Sequence, residues 1–286
     1  VPHPWGGHYL PVPNVEARAA LRLLSEMGVV EGWDAAGRPT FDGRRLCHAP
    51  QERLFYEGAW HPGLVPTDAL APADIDELTR FTDETEALTR RLGRDGRFAF
   101  QIPLALSSRD EDLLALDRMT MAAWLDERGY RSTFLRWYVR YATLDDFGGE
   151  PDQVSAWAGL HYFSARKLRS PQHEGSRFLV WPEGNGRLVA ELAARSRAQR
   201  HTQALCLSVA DAASGFLVTY YDAARQETRR LAARVVVLAI PAFVARRLID
   251  APVASRRPQR VSSPWLVANL HVDRRRSEPS TWDSVL

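Results

Sequence analysis

The sequence predicts a mixed α/β fold, and three observations carry that prediction. A glycine turn, Trp181-Pro182-Glu183-Gly184-Asn185-Gly186, runs into residues 187–194, where Leu188, Val189 and Leu192 recur at helical intervals. Residues 204–209 and 215–221 follow as two paired strands. Val235-Val236-Val237-Leu238-Ala239-Ile240-Pro241 is a continuous apolar run closed by proline, which reads as a strand buried on both faces.

The remaining elements fall into order around these. Trp5-Gly6-Gly7-His8-Tyr9 precedes a helix expected over 15–27, and Gly28-Val29 follows it. Residues 45–49 and 53–60 read as the strands of a hairpin around Pro50-Gln51-Glu52, with Gly58 marking a bend. A long helix is expected over 72–92, because Ile75, Leu78, Phe81, Thr85 and Leu88 are spaced by three or four. Ser107 or Ser108 can cap a helix carrying Leu113, Leu114 and Leu116, and Thr120 one carrying Trp124 and Leu125. Two further helices are expected over 133–141 and 153–165, and residues 265–272 read as a last strand.

Composition narrows the function. The chain has 286 residues, 45% of them hydrophobic, enough to bury a substantial core. A net charge of +2, spread over many arginines, makes nucleic acid an unexpected partner. No apolar run reaches the ~20 residues a membrane helix needs. Cys47 and Cys206 stand far apart without metal-like spacing, so neither a disulfide framework nor a metal site is expected. With no signal peptide in view the expected location is cytoplasmic, although a missing N-terminus would hide an export signal.

The order of glycine pair, glycine turn, hairpin and Ala-x-Pro strand resembles the flavin-containing amine oxidase family. There a P-x-G-G/N-G turn opens a helix, a VV-x-A-x-P strand closes the unit, and a G-G-x-Y segment runs along the flavin. The resemblance implies a partial FAD-binding dinucleotide domain, residues 1–32 and 177–255, interrupted by a helix-rich substrate domain with a small sheet, residues 33–176 and 256–286. It implies FAD as cofactor, held by Gly6, Gly7, His8, Tyr9, Cys206 and Ala239, and a small-molecule substrate. Glycines suit this task because backbone without a Cβ can approach a flat ring closely. The aromatic run holding Trp157, His161 and Tyr162 is the candidate substrate wall, with core packing as the alternative.

The resemblance also marks departures. No Gly-x-Gly-x-x-Gly fingerprint occurs, although a dinucleotide domain opens on one. The expectation is therefore an internal piece of a longer enzyme, inactive by itself. Many amine oxidases carry a lysine in the strand after the Ala-x-Pro unit; the matching position here is Ala268 or Asn269, and the sole lysine, Lys167, lies elsewhere. Amine oxidation thus stands beside a carotenoid-desaturase-like or isomerase activity, and beside a truncated binding module without catalysis.

Overall fold

A computed structural model describes residues 2–47, 52–165, 178–249, 262–271 and 283–286. Two compact units result: Val1–Ala194 with Ser263–Leu286, and Arg195–Ser262.

The first unit opens with β1 (Tyr9–Pro11), α1 (Arg18–Glu26), β2 (Val30–Trp33) and β3 (Pro39–Phe41). Leu21 and Leu24, three residues apart, form the buried stripe of α1. Antiparallel β2 and β3 are joined by a turn in which the Asp34 carboxylate accepts from the backbone N–H groups of Ala36 and Arg38, at 2.9 and 2.8 Å. Far along the chain, β6 (Phe178–Val180) returns to pair antiparallel with β1, Tyr9 opposite Val180 and Pro11 opposite Phe178. Val12, Leu21, Leu24, Val29, Leu179 and Trp181 share one buried cluster as a result. Here the fold joins the start of the chain to the glycine turn.

A second core lies among the helices. Strands β4 (Glu52–Tyr56) and β5 (Ala59–Pro62) make a hairpin, and β10 (Asp283–Val285) adds in parallel to β4. The helices are α2 (Pro72–Arg90), α3 (Glu111–Ala115), α4 (Met121–Glu127), α5 (Thr133–Phe147) and α6 (Ala156–Ala165). Proline at its start and Asp74 in its first turn suit the N-terminus of α2, and Arg90 suits its C-terminus. Thr120 caps α4, accepting from Ala123 N–H at 3.1 Å, and Ser132 caps α5, accepting from Leu135 N–H at 3.1 Å. Gly159 lets α6 lie close on α4, since a Cβ there would come within 2.7 Å of the Met121 sulfur. Phe81, Leu113, Trp124, Leu125, Tyr130, Leu135 and Leu160 fill this core. The Tyr130 hydroxyl donates to Glu84 at 2.9 Å, and burial followed by that carboxylate raises its pKa above the ordinary tyrosine value.

After α7 (Gly186–Arg195), the second unit holds the meander β7 (Ala204–Ala212), β8 (Gly215–Asp222) and β9 (Glu227–Ala233), followed by α8 (Ala242–Leu248). Strand β8 pairs antiparallel with both neighbours. No helix among the described residues is long and apolar enough to cross a membrane.

Several expectations are corrected. The run 235–239 forms no strand, and Val235 and Val237 are 75% and 83% exposed, because no described strand supplies a ladder beside it. Residues 265–271 are likewise in no strand; Val272 lies outside the described residues. The expected strand 53–60 instead turns at Glu57-Gly58, both at positive φ, which suits the right-handed twist of β4 and β5; Pro50 and Gln51 lie outside the described residues. Of the expected strand 45–49, Leu46 makes only an isolated bridge to Leu179, and His48 and Ala49 lie outside the described residues. Neither Ser107 nor Ser108 caps α3, whose N-cap is Asp110; Ser107 Oγ instead accepts from Gln101 N–H at 2.9 Å.

Carboxylate and arginine pairing predicts an acid-sensitive fold. Asp42 is held below the usual carboxylate range first by hydrogen bonds from the Arg44 guanidinium, both 3.0 Å, and then by the Arg44 backbone N–H. Asp34 and Asp126 are lowered in the same direction, the first chiefly by the Arg38 backbone N–H and the second by the Arg136 side chain. A folded pKa below the unfolded one gives stability that is complete above the ordinary range and lost as pH falls through the folded value. Urea midpoints should therefore fall as pH drops below about 4. Asp42→Asn should flatten that dependence; an unchanged slope would count against the pairing.

Candidate functional site

The pairing of β1 with β6 lays the turn 181–186 against residues 4–9. Gly184 N–H closes the turn on Trp181 O at 2.9 Å, with φ at +60°. A Cβ at Gly184 would stand 2.7 Å from Gly7 O and from Pro4 Cβ, and 3.2 Å from His8 Cα. Two backbones meet there with no room for a side chain. Asn185 then clamps the partner segment: its N–H donates to Gly7 O and its Nδ2 to Tyr9 O, each at 2.9 Å. Asparagine before a helix usually turns its oxygen onto the first free N–H groups. The opposite happens here, since Leu188 N–H bonds the Asn185 backbone carbonyl at 3.0 Å. Asn185 Oδ1 is buried and has no hydrogen-bond partner among the described residues.

Of the four N-terminal candidates, Gly6, Gly7 and His8 are exposed and Tyr9 is half-buried. A Cβ at Gly6 would meet nothing within 4 Å, and one at Gly7 would come 3.0 Å from Asn185 Nδ2. Packing among the described residues therefore gives no reason for glycine at position 6. His8 lies edge-on to Tyr9, ring centroids 5.0 Å apart, and Tyr9 edge-on to Phe178 at 4.6 Å.

The candidate substrate wall lies on α6. Trp157 stacks on His161 with centroids 5.1 Å apart, and Phe100 stands edge-on to both, at 5.3 and 6.0 Å. His161 Nε2 lies 2.9 Å from Gln101 O, so the ring donates from Nε2. Trp157 Nε1 is buried without a partner among the described residues. Tyr162 packs edge-on to Phe163 at 5.0 Å. All three rings are half-buried, and Trp157 packs against the helical core.

Cys206 and Ala239 belong to the second unit. Cys206 is half-buried on β7 opposite Tyr220, where a bulge shifts the register. Ala239 is exposed within the 235–239 run. Ala268 and Asn269 are exposed in the first unit, and Lys167 lies outside the described residues. Sequence reasoning missed Asn185. Its signal was an asparagine flanked by two glycines, and its role depends on a strand pairing across about 170 residues that no local pattern encodes.

No protein-family model matches this sequence, and no curated protein matches it. Solved structures do. Putrescine oxidase bound to putrescine superposes with a TM-score of 0.58 at 16% identity, over 88% of this chain and 51% of that one. A triple mutant of putrescine oxidase from a redesign of cofactor binding gives 0.58 at 15% identity, with the same coverage. The fold matches about half of the putrescine oxidase fold. The mixed α/β architecture expected from the sequence is thereby found in a known setting. This chain spans about half the length of the putrescine oxidase structures it matches.

Proposed function

We propose that this chain is part of an FAD-dependent oxidoreductase of the amine oxidase type, acting on a small organic substrate. One observation carries the reading: two chain-distant segments, 4–9 and 181–186, are clamped backbone to backbone beside an open glycine and an orphaned amide oxygen. The residues present fit a flat group. Gly6 leaves backbone uncovered where a ring can approach, and among the described residues Asn185 Oδ1 lacks the donor that a buried acceptor requires.

FAD, when bound, accepts a hydride equivalent from a C–H bond next to nitrogen. The chain's own residues do the positioning. Gly6, Gly7, His8 and Tyr9 form the surface offered to the ring, and Asn185 holds their backbone in place. Cys206 and Ala239 remain proposed contacts of the second unit with the cofactor, through backbone that needs no particular side chain. Trp157, His161 and Tyr162 are proposed to shape the substrate side, with His161 anchored by Gln101. The proposed division assigns 1–32 and 177–255 to the cofactor domain and 33–176 and 256–286 to the substrate domain.

The longer enzyme of which this chain is part, purified and supplied with FAD, should retain flavin absorbance through desalting. Asn185→Ala should weaken retention about tenfold, the loss of one hydrogen bond at a buried site. Anaerobic mixing with putrescine and other small amines should then bleach the flavin. Protein that keeps no flavin overturns the cofactor assignment. Bound flavin that no amine bleaches, but an apolar alkene does, replaces amine oxidation by desaturation.

A further inference from the structure

We propose that a cavity of about 220 Å³ in the first unit binds a small organic cation, with Glu16 supplying the opposing charge. This inference stands apart from the flavin reading and needs neither FAD nor catalysis.

The cavity lies where four pieces of the first unit converge. They are the segment 13–16 before α1, the tip of the β2–β3 hairpin, the C-terminal ends of α2 and α6, and the stretch from Phe98 to Gln101. The far side of Phe100 and Gln101 is braced by Trp157 and His161, so this wall is held rigidly. Phe98, Phe100 and Pro39 supply apolar surface. At roughly 30 Å³ for each water in the liquid, the space holds about seven waters, or one compact ring with a polar substituent.

Two charged side chains line it, Glu16 and Arg38. Arg38 is already committed, its Nε donating to Asp34 at 2.8 Å. Glu16 makes no side-chain hydrogen bond or ion pair among the described residues, and it is only half-exposed. Asn14 Nδ2 donates to Ile102 O at 3.3 Å, which leaves its Oδ1 as an acceptor. The uncommitted groups thus include one anion, the Asn14 amide oxygen and the Gln101 side-chain amide, beside aromatic surface. That set selects a cation carrying several N–H donors and a flat apolar body, and gives a neutral isostere no ionic partner.

Isothermal titration of the full chain with benzamidine, and with uncharged benzamide as its isostere, tests this. Benzamidine should bind at least about tenfold more tightly than benzamide, the difference a charge-assisted hydrogen bond makes. Glu16→Gln should remove that preference while leaving benzamide unchanged. Val15→Trp, at an exposed lining position where the fold tolerates bulk, should block both ligands with the thermal midpoint intact. Absent benzamidine binding, equal affinity for the two ligands, or Glu16→Gln and Val15→Trp proteins that bind as the parent does, would each overturn the assignment.

Discussion

Phe81→Ala is expected to destabilise the first unit by about 3–5 kcal/mol, the cost of emptying a large aromatic site that its neighbours cannot collapse into. Phe81 is 2% exposed and lies edge-on to three rings: Phe163, Tyr130 and Trp124, at centroid distances of 5.0, 5.8 and 6.3 Å. It therefore ties α2 to α4, to α6 and to the Tyr130 position between α4 and α5. Tyr130 is held from its other face by the Arg80 guanidinium, 4.0 Å from the ring centroid, and by Glu84, which also pairs with Arg128 at 2.8 Å. Those polar contacts keep Tyr130 where it is when Phe81 is removed, so the void persists. All nine tryptophans lie outside residues 195–262, which makes tryptophan fluorescence in urea a readout of the first unit alone. Phe81→Leu should recover most of the loss. A Phe81→Ala cost under about 1 kcal/mol would mean that the aromatic cluster repacks freely, against the geometry described.

Gly184→Ala is the second large effect, expected at about 2–4 kcal/mol. It combines overpacking of a tight contact with a left-handed backbone that alanine resists. The contacted atoms are Gly7 O, Pro4 Cβ and His8 Cα, and none is the far end of a flexible side chain. Relief therefore requires the 4–9 segment to retreat, breaking the bonds from Asn185 to Gly7 O and Tyr9 O. Flavin retention should fall together with stability in this variant. Asn185→Ala should weaken retention with a smaller stability cost. Equal stability of Gly184→Ala and parent protein in urea would refute the close approach.

How much was legible in the sequence depended on the range of the interaction. The stripe of α2 was readable because Leu78, Phe81 and Thr85 recur on one face, and all three are buried. The Thr120 cap was readable because the hydroxyl and the Ala123 N–H it accepts from are three residues apart. By contrast, apolarity in Val235-Val236-Val237 said that the run favours burial, and nothing about which strand lies beside it. Ile240 and Phe243 nearby are also exposed, at 41% and 52%. The hairpin was misplaced for a related reason. Gly58 was read as a bend within one strand, whereas pairing of Leu54 with His61 and Tyr56 with Ala59 makes Glu57-Gly58 the turn between two.

Of the candidate site, the glycine pair and the glycine turn were visible as separate motifs. The sequence by itself determined which stretches could be helices, where α2, α4 and α5 start, and that bare backbone recurs at Gly6-Gly7 and Gly184. Only the tertiary structure decided that Gly184 packs on the Gly7 carbonyl, that Asn185 serves Tyr9 in place of its own helix, and that Glu16 stands uncommitted at a cavity. The physical reason is that periodicity and capping act within a few residues. A β1–β6 ladder, a backbone clash or an unpaired charge exists only once distant segments share the same space.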